Sequence, residues 1–145
     1  MKVSLDAGLP LRIHSYDTNS ITLSGMSISN PPAGALYDPE TGMTTFRHSL
    51  ILTASGHLQN WEVEDVASLD AERLAPLVQL ESEIILIGTG EQQVFPQSTQ
   101  LSILLEKNIG YETMSTAAAC RTYNILASEG GRGLKIGYKG LVKVG

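Results

Sequence analysis

The stretch Ile84-Ile85-Leu86-Ile87-Gly88-Thr89-Gly90 decides the fold of this chain, together with the fifty or so residues C-terminal to it. Pro96 and a leucine-rich segment come next, then Tyr111-Glu112-Thr113-Met114, an alanine-rich segment from Thr116 to Ala127, and Leu134-Lys135-Ile136-Gly137-Tyr138. The run Ile84 to Ile87 has no polar alternation, the mark of a strand buried on both faces at the centre of a sheet. Leu101, Leu104 and Leu105 fall at i, i+3 and i+4, which predicts one helical stripe against that sheet, with Asn108 and Gly110 as stop residues. In the alanine-rich segment Ala119, Tyr123 and Leu126 share a face, widened by Ala118, Thr122 and Ile125, while Arg121, Asn124 and Ser128 line a polar one. Strand, helix, strand, helix, strand is the pattern of two parallel crossover units, so the fold class is α/β.

Upstream the signals are those of β structure. Ser20 to Ser29 alternates but changes phase at Gly25, as a β-bulge would. Asn30-Pro31-Pro32-Ala33-Gly34 and Asp38-Pro39-Glu40-Thr41-Gly42 read as loops. Thr44 to Thr53 reads as one strand, and Trp61 as a plug at the sheet edge. Ser68 or Asp70 suits the cap of a short helix through Leu74, and Pro76, too deep for an unbroken helix, predicts a kink or restart there.

A length of 145 residues without repeats, low-complexity tracts or linkers indicates a single domain, 1–145, with enough chain to bury a core. No apolar run approaches the ~18 residues that span a bilayer, so no membrane insertion is expected. The start of the chain lacks the character of a secretory signal or organellar presequence, and the lone Cys120 fits a reducing compartment. The expectation is a cytoplasmic protein. The net charge of −5 divides into +4 on the last 25 residues and −9 on the rest, a balance that disfavours nucleic acid. Lys135 and Lys139 belong to that basic end, a solvated face and a candidate contact surface.

Loops leaving the C-terminal ends of parallel strands lie along one rim, where ligands bind. Here they are Gly88-Thr89-Gly90 and Met114-Ser115-Thr116, expected side by side. Ser115 or Thr116 would cap the last helix and leave free backbone N–H groups facing the crevice, with Arg121 one to two turns along. These seven residues form the candidate crevice for a carboxylate or phosphate. Against a dinucleotide site stand Gln93, where a third glycine is required, and a helix that begins too late. Gly-Thr-Gly also reads as a plain tight turn, and Arg121 as a buried cation paired with Glu112 or Glu129. Cys120 sits in a close-packed helix, unsuited to a nucleophile. His14, His48 and His57 make no metal spacing, and no nucleophile elbow or phosphate loop occurs. Thr89, Ser115 or Cys120 beside Arg121 could serve an enzyme only with a general base, and none is found. No catalytic residue, metal or cofactor is therefore assigned.

Ile87-Gly88-Thr89-Gly90, Pro96, Gly110, Glu112 to Thr116, Ala118 to Leu126 with its Arg121-Thr122-Tyr123-Asn124 block, and Glu129 together resemble one family. It comprises small α/β proteins of bacteria and archaea and includes the mitochondrial NADH dehydrogenase (complex I) assembly factor 3 and the adipogenesis-associated domain-containing protein. The resemblance covers residues 84 to 129; before Trp61 it rests on strand pattern. It implies three layers: a central mostly parallel sheet flanked by helices, with an additional N-terminal β layer. It carries over no catalytic residue. It implies a non-catalytic protein-interaction or assembly factor with protein partners among membrane-complex subunits, and leaves room for a homo-oligomer. The alternative is a small-anion or nucleotide-binding protein, or an enzyme, using the crevice.

Overall fold

The computed structural model describes residues 12–17, 20–24, 32–53, 57–80, 84–130 and 138–142, with the backbone alone for 127–130 and 138–142. Strands β1 (Arg12–Tyr16), β2 (Ile21–Ser24), β3 (Leu36–Asp38) and β4 (Met43–Phe46) form an antiparallel sheet in the order β1-β2-β4-β3. In β2 the alternation is realised, with Ile21 and Leu23 buried and Thr22 and Ser24 half-buried. The phase change expected at Gly25 lies outside the described residues; a register slip is present in β1, between Ile13 and Ser15. The Asp38–Gly42 turn closes as its residues require, with Gly42 in the left-handed region at φ +73° and its N–H on the Asp38 carbonyl.

The strand expected over Thr44–Thr53 is two strands in two sheets. Beyond β4 the chain breaks at 47–49 and resumes as β5 (Leu50–Thr53), hydrogen-bonded to β6 (Leu58–Asn60). Ser49 fixes the break, its hydroxyl donating to the Val63 carbonyl and its own carbonyl accepting from Trp61 N–H. Trp61 is buried beside edge strand β6 and donates its indole N–H to Arg73 O. Asp70 caps helix α1 (Ala71–Gln79) by accepting from Arg73 N–H. That helix runs on through Pro76, its buried Leu74 and Leu77 on either side of the proline holding it to the core.

Next come β7 (Ile84–Gly88), a 3-10 turn at Ser98–Leu101, helix α2 (Ser102–Glu106), β8 (Gly110–Met114), helix α3 (Thr116–Gly130) and β9 (Tyr138–Val142). The last strand begins where the expected one ends; 134–137 lie outside the described residues. The second sheet has the order β6-β5-β9-β7-β8. It is mixed rather than mostly parallel: β7 runs parallel to both β8 and β9, while β5 runs antiparallel to β9 and β6. β7 is buried on both faces as expected, but β9 holds the central position.

Alternate residues of β5 and β7 enter two cores. Leu50, Leu52 and Leu86 join Cys120 and Tyr123 of α3 and the inner face of the N-terminal sheet. Ile51, Ile85 and Ile87 join Leu74, Leu77, Leu101 and Leu104. Two residues depart from the helical stripes. Leu101 lies in the 3-10 turn rather than in α2, so the expected stripe is not one helical face, and Leu105 is 59% exposed; Ile125 is 62% exposed on α3. Asn108, not Gly110, takes the left-handed conformation that ends α2, at φ +58°.

Candidate functional site

Parallel pairing sets Gly88 opposite Met114, so the two predicted corners do lie side by side. They are bonded to each other. Thr89 N–H donates to Met114 O at 2.8 Å, Gly90 N–H to Thr116 Oγ1 at 2.9 Å, and Thr116 N–H to Gly90 O at 2.8 Å. The buried Thr89 hydroxyl lies 2.8 Å from Gln92 O and 3.1 Å from Met114 O, and accepts from Val94 N–H. Gly90 needs to be glycine for its φ of +105°, since a Cβ there would meet open space.

These bonds change what the crevice can do. Ser115 is the helix cap, its Oγ accepting from Ala118 N–H while its carbonyl takes Ala119 N–H. Thr116, Ala118 and Ala119 are thereby engaged, and among the described residues only the Ala117 amide of that first turn is without an acceptor. A cleft of about 220 Å³ opens here, lined by Tyr16, Asp17, Gly90, Glu91, Thr116 and Ala117. Asp17 follows the end of β1 and accepts from the Ser20 hydroxyl, and Glu91 comes from the glycine loop; neither belongs to a sequence motif, and Glu91 sets a negative charge near the cleft, which disfavours an anion. Arg121 is exposed, and its Nη1 donates to the Tyr16 hydroxyl at 3.2 Å. It is not the buried, carboxylate-paired cation that was one expectation.

The block following Arg121 ties α3 to the sheets. Thr122 Oγ1 sits 3.7 Å from Met114 Sδ, and the fully buried Tyr123 donates its hydroxyl to Thr53 O at 3.2 Å. Asn124, expected on a polar face, clasps β1 through both amide atoms. Its Oδ1 accepts from Ile13 N–H at 2.9 Å and its Nδ2 donates to Ile13 O at 2.8 Å. Burial pushes the Cys120 thiol up to about 12, against the opposing pull of the Arg121 guanidinium, so at neutral pH it is an un-ionised thiol in the core.

One surface feature escapes the sequence patterns. Beyond the glycine turn, Val94 and Phe95 are exposed, Phe95 by 75%. The apolar triplet Val94-Phe95-Pro96 after the polar Glu91-Gln92-Gln93 is the available signal, but it belongs to no helical or strand period. The loop is pinned at Val94 N–H, at the Gln92 carbonyl, and by Gln93 Nε2, which donates to Thr113 O at 2.8 Å.

A family model described as "Protein of unknown function (DUF498/DUF598)" matches residues 13–135. The chain is 33% identical to the 13 kDa major membrane protein of Francisella tularensis over 85 residues, 58% of this chain and 69% of that one. It is 26% identical to human NADH dehydrogenase (ubiquinone) 1 alpha subcomplex assembly factor 3 over 128 residues. That alignment takes in 86% of this chain and 59% of the human protein, so the chain spans about three-fifths of its length. The NMR structure of a Xanthomonas campestris protein is similar at a TM-score of 0.70 and 27% identity, over 93% of this chain and 85% of that one.

Proposed function

This chain belongs to the DUF498/DUF598 family, and from that premise we propose that it is a non-catalytic protein-interaction factor serving the assembly of a membrane complex. Phe95 carries the reading. On a loose loop an aromatic ring would fold back onto neighbouring apolar surface; here three hydrogen bonds hold its loop open and the ring faces solvent. A preorganised aromatic anchor loses little conformational freedom on docking, which is what makes such residues dominant in interfaces. The human relative is named as an assembly factor of NADH dehydrogenase, and the partner class proposed here, a membrane-complex subunit, accords with that name. The Francisella relative is named a major membrane protein. No helix of the described residues is long and apolar enough to cross a membrane. We place the protein in the cytoplasm, where fractionation would find it.

Affinity capture with crosslinking from native lysate tests the reading. The native chain should retain a defined partner that the Phe95→Ser chain loses while melting at the same temperature. Equal retention by both chains, or no partner with either, would sink it.

The small-anion or nucleotide reading has the rim cleft in its favour and the Glu91 charge and the engaged helix amides against it. It predicts that phosphate, nucleotides or carboxylates raise the melting temperature, because a ligand of the native state stabilises it. A flat response across such a panel ends it.

A further inference from the structure

We propose that the outer edge of β8 takes up an extended, lysine- or arginine-bearing segment of a partner protein as an added strand, beside the Phe95 anchor. This rests on the interaction function just proposed and gives the partner segment its chemistry.

The open edge is a consequence of the ladder. In a parallel pair alternate residues direct both backbone groups to the same neighbour. Met114 O accepts from Thr89 N–H, so Met114, Glu112 and Gly110 face β7, and Tyr111 and Thr113 turn their N–H and C=O outward. The Gln93 amide on Thr113 O occupies one of these outward groups. Tyr111 N–H, Tyr111 O and Thr113 N–H have no partner among the described residues.

The other three sheet edges are less suited to pairing. β1 carries a register slip, and Asn124 covers the N–H and C=O of Ile13. β3 and β6 are three residues long. Short, bulged or covered edges are how sheets avoid unwanted pairing, and β8, with five residues, is the exception here.

Charge selects the occupant. Glu112 is exposed and has no ion pair among the described residues. An added strand sets a side chain directly beside it on the same face, where opposite charges attract and like charges repel. A second copy paired about the middle of β8 would oppose Glu112 to Glu112. A basic segment of another protein avoids that clash and meets the carboxylate. Extended peptides recognised in this way draw affinity from main-chain bonds and selectivity from alternate side chains.

The test titrates the 15N-labelled chain with a peptide of alternating lysine and valine. The Tyr111 and Thr113 amides should shift and gain protection from exchange. The same peptide N-methylated at alternate residues, its charge intact, should bind about tenfold more weakly for the loss of two main-chain bonds. Glu112→Lys should weaken the lysine peptide about threefold and turn preference toward a glutamate–valine peptide. Gln93→Ala, by freeing Thr113 O, should tighten binding by about threefold. Equal binding of the methylated peptide would reduce the effect to diffuse charge attraction and overturn the proposal. So would still amides at Tyr111 and Thr113, or a self-associated dimer that the peptide disperses. If Phe95→Ser abolishes partner capture while these amides stay still, the edge proposal fails and the interaction reading stands. If capture ignores Phe95 while the amides move, the anchor reading fails instead.

Discussion

Between Gly90 and Phe95 the chain changes character. At the rim corner Gly90 and Thr116 bond to each other, Thr89 bonds to Gln92, Val94 and Met114, and Ser115 bonds to Ala118, so the polar groups beside the cleft are already engaged within the protein. A few residues on, the same loop holds a phenylalanine in water and runs beside a strand edge where Thr113 O takes the Gln93 amide while Tyr111 N–H, Tyr111 O and Thr113 N–H are unpaired among the described residues. The corner has the residues that look reactive, and the loop has those that look plain. Once placed in three dimensions the roles reverse, because a polar group already bonded inside the protein has little left to offer a ligand, whereas exposed apolar area does. Substitutions in the two regions test whether the corner is structural and the loop spare.

The largest effect belongs to Tyr123, in the helix that leaves the corner. Its side chain is fully buried between the sheets and its hydroxyl is bonded to Thr53 O. Tyr123→Ala should cost about 3–5 kcal/mol of unfolding free energy, as aromatic truncation in a packed core does. Tyr123→Phe, which removes the hydroxyl alone, should cost about 1 kcal/mol. Urea denaturation separates the two; a near-neutral Tyr123→Ala would mean that the block is not structural.

Cys120, one helical turn before Asn124, sharpens the same point through pH. Its thiol is held up at about 12 by burial, from an ordinary 9.0. The folded chain thus keeps a proton that the unfolded chain gives up. This contribution to stability is whole below about pH 9 and is lost as pH rises toward about 12, at no more than ~1.4 kcal/mol per pH unit. Cys120→Ala should show a shallower alkaline decline than the native chain, and the difference between the two curves isolates the thiol. Alkylation at pH 8 should reach Cys120 in urea but not in buffer.

Asn124→Ala comes next, at about 2 kcal/mol, since it strands the N–H and C=O of the buried Ile13. Hydrogen exchange at the Ile13 amide should quicken more than at the Leu52 amide, because the N-terminal sheet would loosen from α3 before the second sheet opens.

The crossover order of the second half was legible because apolar runs and helical stripes are local signals, and the pairing of the two corners came from how parallel strands are connected. Failures came where the deciding partner is distant in sequence. Asp17 lines the cleft beside Glu91, and no spacing rule joins residues that far apart. β-propensity cannot register a change of sheet, so the Arg47-His48-Ser49 break was invisible. Leu105 and Ile125 fit the helical period yet face water, because periodicity marks a face without fixing where an α-helix begins or how wide its buried side is. The first-turn amides of α3 looked available because the Ser115 and Gly90 acceptors are seen only when the corners close.

Phe95→Ser should produce the smallest change in stability, within about 0.5 kcal/mol, because an exposed ring contributes little to the fold. The loop bonds that present it run through Thr89, Gln92, Gln93 and Val94, and none uses the ring. Thr89→Val is the matching control from the corner: it removes a hydroxyl serving Gln92 O and Val94 N–H and should cost about 1–2 kcal/mol while freeing the loop. If the contrast between the regions is sound, Phe95→Ser loses the partner at full stability, and Thr89→Val weakens both. Should Phe95→Ser lower the melting temperature as Thr89→Val does, the ring is part of the core in solution and the anchor must be sought elsewhere on the surface.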